Sequence, residues 1–321
     1  MKSAIGALTE KIIAGQRLGR GDDLSLLLTA PLVELMEGAG RLQKHFCGNH
    51  IDLCTIINGR SGRCSENCKY CAQAACHKTG IEEYDFLLKE EIIANARANE
   101  AAGVNRFAIV TSGRALGGRE FDQAIETYEE MHETLHIDLC ASHGIISREQ
   151  FRRLRQAGVT SYHHNIETSR RFFPQICTSH TYDDRIKTIK IAQEEGMCVC
   201  SGGIIGMGET WEDRLDMALS LAELHIQSIP INALMAIKGT GLEDREPLKP
   251  EDILRTIAIF RFINPEANIR LAAGRKLLPQ NGATAFVHGA SASITGNMLT
   301  TSGTTIKEDL AILADLGLSN R

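Results

Sequence analysis

The sequence is poor in aromatic residues. Phe, Tyr and Trp together account for 5% of its 321 positions, with a single Trp. Stretches that alternate β-branched and polar residues are also few, and the two scarcities argue against an all-β sandwich. Proline is sparse, seven residues that never cluster into a linker. No block of one charge sign occurs. Lys plus Arg is 35 against 40 for Asp plus Glu, a net charge of −5 with His neutral, which excludes the basic footprint of a nucleic-acid binder. No apolar run approaches the roughly 18–20 residues of a membrane span. The stretch MKSAIGALTEKIIAG is broken by Glu10 and Lys11 and does not match a secretory signal. The expectation is a cytoplasmic protein with neither a membrane nor a nucleic acid as partner.

What the chain does have is cysteine: ten residues. In a reducing compartment such thiols serve as metal ligands, catalytic groups or core fillers rather than disulfides.

Short apolar runs alternate with longer amphipathic stretches. Candidate strands lie near 52–57, 106–110, 137–140, 160–163, 198–201, 227–231, 268–271 and 291–294. Helical patterns follow at 88–102, 118–134, 147–156, 181–196, 211–224, 250–262, 278–285 and 306–316. Start signals include Thr181 with Asp184 three residues on, Thr210 ahead of Glu212 and Asp213, and Pro250 in a first turn. Gly103, Gly158 and Gly196 are stop signals. Eight strand–helix units predict an α/β fold closed as a (β/α)8 TIM barrel, with an open doubly wound sheet as the alternative. Residues 1–45 read as an N-terminal extension of two or three amphipathic helices, and 46–321 as the barrel. In such a barrel chemistry belongs on the loops at the C-terminal strand ends.

Directly after the first strand, GRSGRCSENCKYCAQ sets Cys64, Cys68 and Cys71 as C-x3-C-x2-C. Iron–sulfur clusters are normally held by four thiolates. Three leave one iron open to a substrate or cofactor, as an open position does in catalytic zinc sites. A zinc site closed by Cys76 or His77 is the rival, although no second C-x2-C knuckle is present. Three unligated core cysteines are the blandest alternative.

C-x3-C-x-aromatic-C, with Tyr70 as the aromatic directly before Cys71, resembles the radical S-adenosylmethionine (SAM) superfamily. KYCAQAACHKTG, YHHNIETS (162–169), VCSGGIIGMGET (199–210), SIPINALMAIKGT (228–240) and NIRLAAGR (268–275) are similar to the biotin synthase family within it, in that family's order from about 45 to 302. The resemblance implies a sulfurtransferase that inserts sulfur into dethiobiotin. In that family Cys64, Cys68 and Cys71 would hold a [4Fe-4S] cluster whose open iron binds SAM, and one electron would cleave SAM to give a hydrogen-abstracting radical. Arg185 matches an arginine that pairs with the SAM carboxylate. Gly206 and Glu209 belong to a glycine-rich segment that meets the adenine. Asn165 and Glu167, where aspartate is usual at the second position, match contacts to ribose and substrate. Asn232 matches an asparagine that hydrogen-bonds the substrate, and a neutral amide suits a ureido ring because it donates and accepts at once.

The family also carries an auxiliary cluster, consumed as sulfur donor, usually [2Fe-2S] on three cysteines and one arginine. Cys140, Cys200 and Arg270 stand at three of those positions, but the fourth, on the second strand, is Ala108. Cys54 on the first strand and Cys198, two residues before Cys200, are candidates to compensate, since residues i and i+2 of a strand share a face. Barrel layers draw on alternate strands, so Cys54, Cys140, Cys198, Cys200 and Arg270 are expected to converge on an auxiliary iron–sulfur cluster, [4Fe-4S] or [2Fe-2S], with Cys198 or Arg270 as fourth ligand. Small buried fillers are the alternative for Cys54 and Cys198. The resemblance further implies a homodimer reduced by flavodoxin or ferredoxin. The Ala108 departure keeps a second reading open, a relative of the hydrogenase-maturase or methylornithine-synthase type acting without cluster sacrifice.

Overall fold

A computed structural model describes residues 3–299 and 303–320; the last part of the motif-matching stretch, 300–302, and the outermost ends of the two expected domains lie outside them. Among the described residues nine strands are formed: β1 (Asp52–Arg60), β2 (Arg106–Thr111), β3 (Asp138–Ser142), β4 (Ser161–His163), β5 (Cys198–Cys200), β6 (Gly203–Ile205), β7 (Ser228–Ala233), β8 (Asn268–Leu271) and β9 (Ala292–Ile294). Their order is β5-β4-β3-β2-β1-β9-β8-β7-β6, every pairing is parallel, and a further β5–β7 pairing closes the circle. β5 and β6 are two halves of one stave, so the barrel has the eight staves expected from the sequence. The break falls at Ser201–Gly202. A Cβ on Gly202 would lie 1.9 Å from the Pro230 carbonyl oxygen, so only glycine lets the two backbones approach there.

Alternation along the strands separates two environments. Leu53, Phe107, Ile109, Leu139 and Tyr162 are buried outward against the helices, whereas Cys54, Ala108 and Cys140 form a small apolar cluster of their own inside the barrel. Helix starts follow local chemistry: capping boxes at Ser147/Gln150, Thr181/Asp184, Thr210/Asp213 and Thr305/Glu308, and Pro250 in the first turn of Pro250–Ile263. Gly103, Gly158 and Gly196 stop theirs with φ of 84°, 86° and 78°.

Three helices precede β1: Ala4–Ile13, Ser25–Thr29 and Leu32–Cys47. The third packs on Pro250–Ile263, where a Cβ on Gly38 would meet Phe262 at 2.7 Å. Gln43 ties it to the Phe286 carbonyl and the Gly289 N–H, and Arg255 donates to the carbonyls of Leu27, Leu28 and Ala30. One expected helix differs. Over 278–285 the chain makes a 3-10 turn, Pro279–Gly282, and a single helical turn, Ala283–Phe286. Gln280 and Asn281 adopt φ of 49° and 50°, and Gly282 follows at 82°, a left-handed run that no α-helix accommodates. Among the described residues no helix is long and apolar enough to cross a membrane.

Candidate active site

The loop after β1 folds back on itself at the C-terminal end of the barrel. Cys64 N–H donates to the Gln73 carbonyl at 3.0 Å and Ala75 N–H to the Cys64 carbonyl at 2.8 Å, while Cys71 N–H donates to the Cys68 carbonyl at 3.0 Å. These bonds turn Cys64, Cys68 and Cys71 toward one cavity of about 400 Å³, which all three line together with Tyr70. Cys76 is exposed and does not line it; His77 turns its Nδ1 to the Cys71 carbonyl at 2.9 Å. Neither residue completes a closed four-ligand set. The loop therefore offers three soft donors around an open space, which fits a cluster with one free iron better than a closed zinc site.

Opposite the loop, the β4 end presents Asn165 and Glu167, and the helix Tyr182–Glu194 presents Arg185. All three line the cavity. Arg185 is buried, donates to the Asn165 carbonyl at 2.9 Å and lies 3.4 Å from the Glu167 carboxylate. Glu167 has φ of 69°, a left-handed conformation that carries its N–H to the Gly202 carbonyl and its own carbonyl to Ile204 N–H. Asn165 Oδ1 accepts from Gly202 N–H at 3.0 Å. Asn232 is a residue of β7 rather than one beyond its end; its amide bridges the Gly203 carbonyl at 3.1 Å and Ala273 N–H at 3.2 Å. Each of these two amides retains one N–H and one lone pair for a ligand.

Two expected cofactor contacts sit elsewhere. Gly206 and Glu209 do not line the cavity. The Glu209 carboxylate is turned onto its own loop, accepting N–H bonds from Gly206, Met207 and Gly208 at 2.8, 2.8 and 3.1 Å and from Arg214 at 2.9 Å. It shapes the segment instead of facing a ligand.

Deeper in the same cavity lie Cys54, Cys140, Cys200 and Arg270, with Arg106 of β2 beside them. The match to known proteins is as specific as this geometry. Residues 60–221 match the model of the radical SAM superfamily and 230–319 that of the biotin and thiamin synthesis associated domain. A biotin synthase of Clostridium beijerinckii is 57% identical over 312 residues, covering 97% of this chain and 99% of the relative. That of Akkermansia muciniphila is 50% identical over 319 residues, covering 99% of both. The chain belongs to the biotin synthase family. Among solved structures, methylornithine synthase superposes with a TM-score of 0.84 at 19% identity, covering 98% of this chain and 97% of that one. A maturase of the [FeFe]-hydrogenase gives 0.81 at 18%, covering 99% and 75%. Both share the fold. As a radical SAM sulfurtransferase of the biotin synthase family, the protein takes a [4Fe-4S] cluster, SAM and a substrate.

The barrel interior departs from the sequence expectation at one point. Cys198 is exposed and absent from the cavity wall. As the first residue of β5 it pairs with Ser161, one layer nearer the N-terminal rim than Cys200, which pairs with His163. Alternation put both cysteines on one face, but two residues along a strand are about 6.6 Å apart in depth. Ala108 faces Cys140 across β2–β3, so the second stave contributes no thiol in this biotin synthase family member. It contributes Arg106 instead, in register with Cys54; the Arg106 Nε is buried without a hydrogen-bond partner.

Charge in this layer is organised around the thiols. Burial pushes Cys54 up to about 11 and Cys140 well above the ordinary thiol range. Burial raises Cys200 as well, but the His163 hydrogen bond and charge, the Arg270 charge and the Ser228 hydroxyl at 3.3 Å outweigh it and bring the thiol down to about 7. Two guanidiniums beside three cysteines suit a set of thiolates that share a metal cluster. Arg270 itself is anchored by Asp52, whose carboxylate is held below its usual range: burial opposes this, and the Arg270 and Arg106 charges overcome it.

Sequence reasoning did not find Arg106, Cys177 or His180. Arg106 carried a usable signal, a charge two residues before Ala108 on an inward-facing register. Cys177 and His180 carried none, being more than a hundred residues from the loop they touch.

Proposed function

We propose that the protein inserts sulfur into dethiobiotin in a SAM-dependent radical reaction and draws that sulfur from an auxiliary iron–sulfur cluster in the barrel. The observation that carries the reading is the layer of Cys54, Cys140, Cys200 and Arg270 lining the same cavity as the Cys64, Cys68 and Cys71 loop. Three inward thiols with two arginines beside them support a second cluster, and so favour this reading over a relative without one. When bound, the first cluster supplies the electron that cleaves SAM, and the second supplies sulfur.

The residues of this chain then do four things. Cys64, Cys68 and Cys71 hold the first cluster and leave one position for SAM, with Tyr70 alongside. Arg185 meets the SAM carboxylate, and Glu167 keeps that guanidinium oriented through its 3.4 Å ion pair while facing ribose. Asn165 and Asn232 offer their free amide N–H and lone pairs to the ureido ring. Cys54, Cys140 and Cys200 hold the second cluster as [4Fe-4S] or [2Fe-2S], with Arg270 as the candidate fourth donor; Cys198 does not reach it. The buried and half-buried placement of the set limits the access of water to a radical that would otherwise attack its surroundings. Reduction by flavodoxin or ferredoxin, a homodimeric state and a cytoplasmic setting belong to the same reading.

Anaerobic reconstitution tests it. The Cys54→Ala variant is expected to hold less iron and less sulfide than wild type, and unchanged content in the variant would sink the auxiliary cluster. Methionine, 5′-deoxyadenosine and biotin are then assayed with and without dethiobiotin. Cleavage of SAM without biotin would leave only the methylornithine-synthase or maturase type of activity, and no cleavage would remove both.

A further inference from the structure

Behind the cluster loop lies a fourth cysteine that the reading above does not use. Cys177 is buried, and its Sγ stands 3.6 Å from that of Cys68. The segment that carries it is fastened to the loop. Lys69 N–H donates to the Ile176 carbonyl at 2.9 Å, and Asn67 Oδ1 accepts from Thr178 and Ser179 N–H, each at 3.0 Å. On the far side of Cys177 is His180, also buried, with Nδ1 at 3.4 Å from the Cys177 sulfur. His180 Nε2 accepts from Arg185 Nε at 3.0 Å. That bond fixes the tautomer: Nδ1 carries the proton and directs it between the Glu66 carboxylate and the Cys177 sulfur.

Cys68, Cys177 and His180 approach one another closely enough to ligate a single ion. Cys68, however, belongs to the C-x3-C-x2-C set, and a thiolate bound to iron has no proton to give and lone pairs to share. Cys177 then holds the only proton between the two sulfurs. Two other acceptors stand at 3.5 Å: Asn67 Oδ1, which already takes two backbone N–H bonds, and the neutral Ser179 hydroxyl. A charged thiolate is the stronger acceptor.

We propose that Cys177 and His180 are positioning residues for the radical site, forming a relay in which His180 Nδ1–H, given first to the Glu66 carboxylate, is shared with the Cys177 sulfur and the Cys177 S–H donates to the Cys68 thiolate. The opposite nitrogen of the same imidazole holds Arg185, so one ring sets both the hydrogen bonding of a cluster ligand and the aim of the guanidinium that meets SAM. A donor on a ligating sulfur stabilises the more negative, reduced cluster and raises its potential. The inference rests on Cys64, Cys68 and Cys71 being the cluster ligands.

The test is an EPR redox titration of anaerobically reconstituted holoenzyme, following the reduced-cluster signal that changes when SAM is added. Cys177→Ala is expected to keep that signal while its reduction equilibrium falls about tenfold, a shift of about 59 mV for one electron. Cys177→Ser, which restores a donor, recovers at least half of the shift. His180→Gln raises the SAM concentration needed for the half-maximal signal change about tenfold. An unchanged midpoint in Cys177→Ala overturns the relay, as does loss of the signal in both Cys177 variants, and unchanged SAM dependence in His180→Gln overturns the role of the imidazole. A SAM-sensitive signal surviving Cys68→Ala would instead overturn the ligand assignment beneath the proposal.

Discussion

Arg270 and Asp52 form a buried ion pair, Nη2 to Oδ1 at 2.5 Å, under the inward-facing cysteines. Arg270 also donates to the carbonyls of Asp52 and Ser293, both at 3.1 Å, and to the Ser228 hydroxyl at 3.3 Å. Four of its five N–H groups are thereby engaged, and one remains for the cavity. Asp52→Asn should destabilise the cluster-free protein by about 3–5 kcal/mol, because it strips the counter-charge from two adjacent guanidiniums. Asp138→Asn, at an exposed partner of Arg106, should stay within about 0.5 kcal/mol. Urea unfolding of both variants checks the contrast, and equal effects would refute it.

The Glu209 clamp makes a kinetic prediction. Glu209→Gln turns one acceptor oxygen into a donor facing other donors, a local cost of about 1–3 kcal/mol. The loop loosens and the KM for SAM rises about tenfold, with kcat largely retained. A selective fall in kcat at unchanged KM would place Glu209 against the reacting atoms, contrary to its hydrogen bonds.

Asn232 separates binding from architecture. Asn232→Asp keeps the acceptor that meets Ala273 N–H but loses the donor to the Gly203 carbonyl and the donor left for substrate. The KM for dethiobiotin should rise at least tenfold, equivalent to about 1.4 kcal/mol, while cleavage of SAM in the absence of substrate is unaffected. Steady-state kinetics with both readouts decide it.

Acid stability should depend on His143. Burial, then the nearby positive charge of Arg60, lowers its pKa to about 3, and its ring nitrogens meet Thr111 and Tyr128 hydroxyls at 3.1 Å. Below the unfolded value of about 6.5 the unfolded chain binds a proton that the native protein refuses. Stability therefore falls with falling pH from about 6.5 towards 3, by up to about 1.36 kcal/mol per pH unit from this group. His143→Gln should flatten that limb between pH 6.5 and 5 in denaturant titrations; an unchanged slope would discount the residue.

The barrel was legible in the sequence because its staves are short apolar runs with capped helices between them, and local chemistry decides both. The division of the fifth stave was not, since it depends on Gly202 meeting Pro230 from another strand. Alternation told which face Cys198 shares with Cys200 but not how deep it lies, and depth is set by register with β4. Spacing alone exposed Cys64, Cys68 and Cys71, whereas Glu209 had the right composition for a ligand loop and spends its charge on that loop's own backbone. Cys177 and His180 became visible only through packing between β4-side and β1-side loops, a relationship with no local sequence signal.

The two sets of inward thiols are stacked, one on the β1 loop and the other down among the strands. Both tiers line one cavity, so on the reading proposed above a cluster at Cys54, Cys140 and Cys200 would share that space with SAM and substrate. Loading from the loop end would then follow an order, like a muzzle-loader, with the lower tier filled first and the upper guests after it.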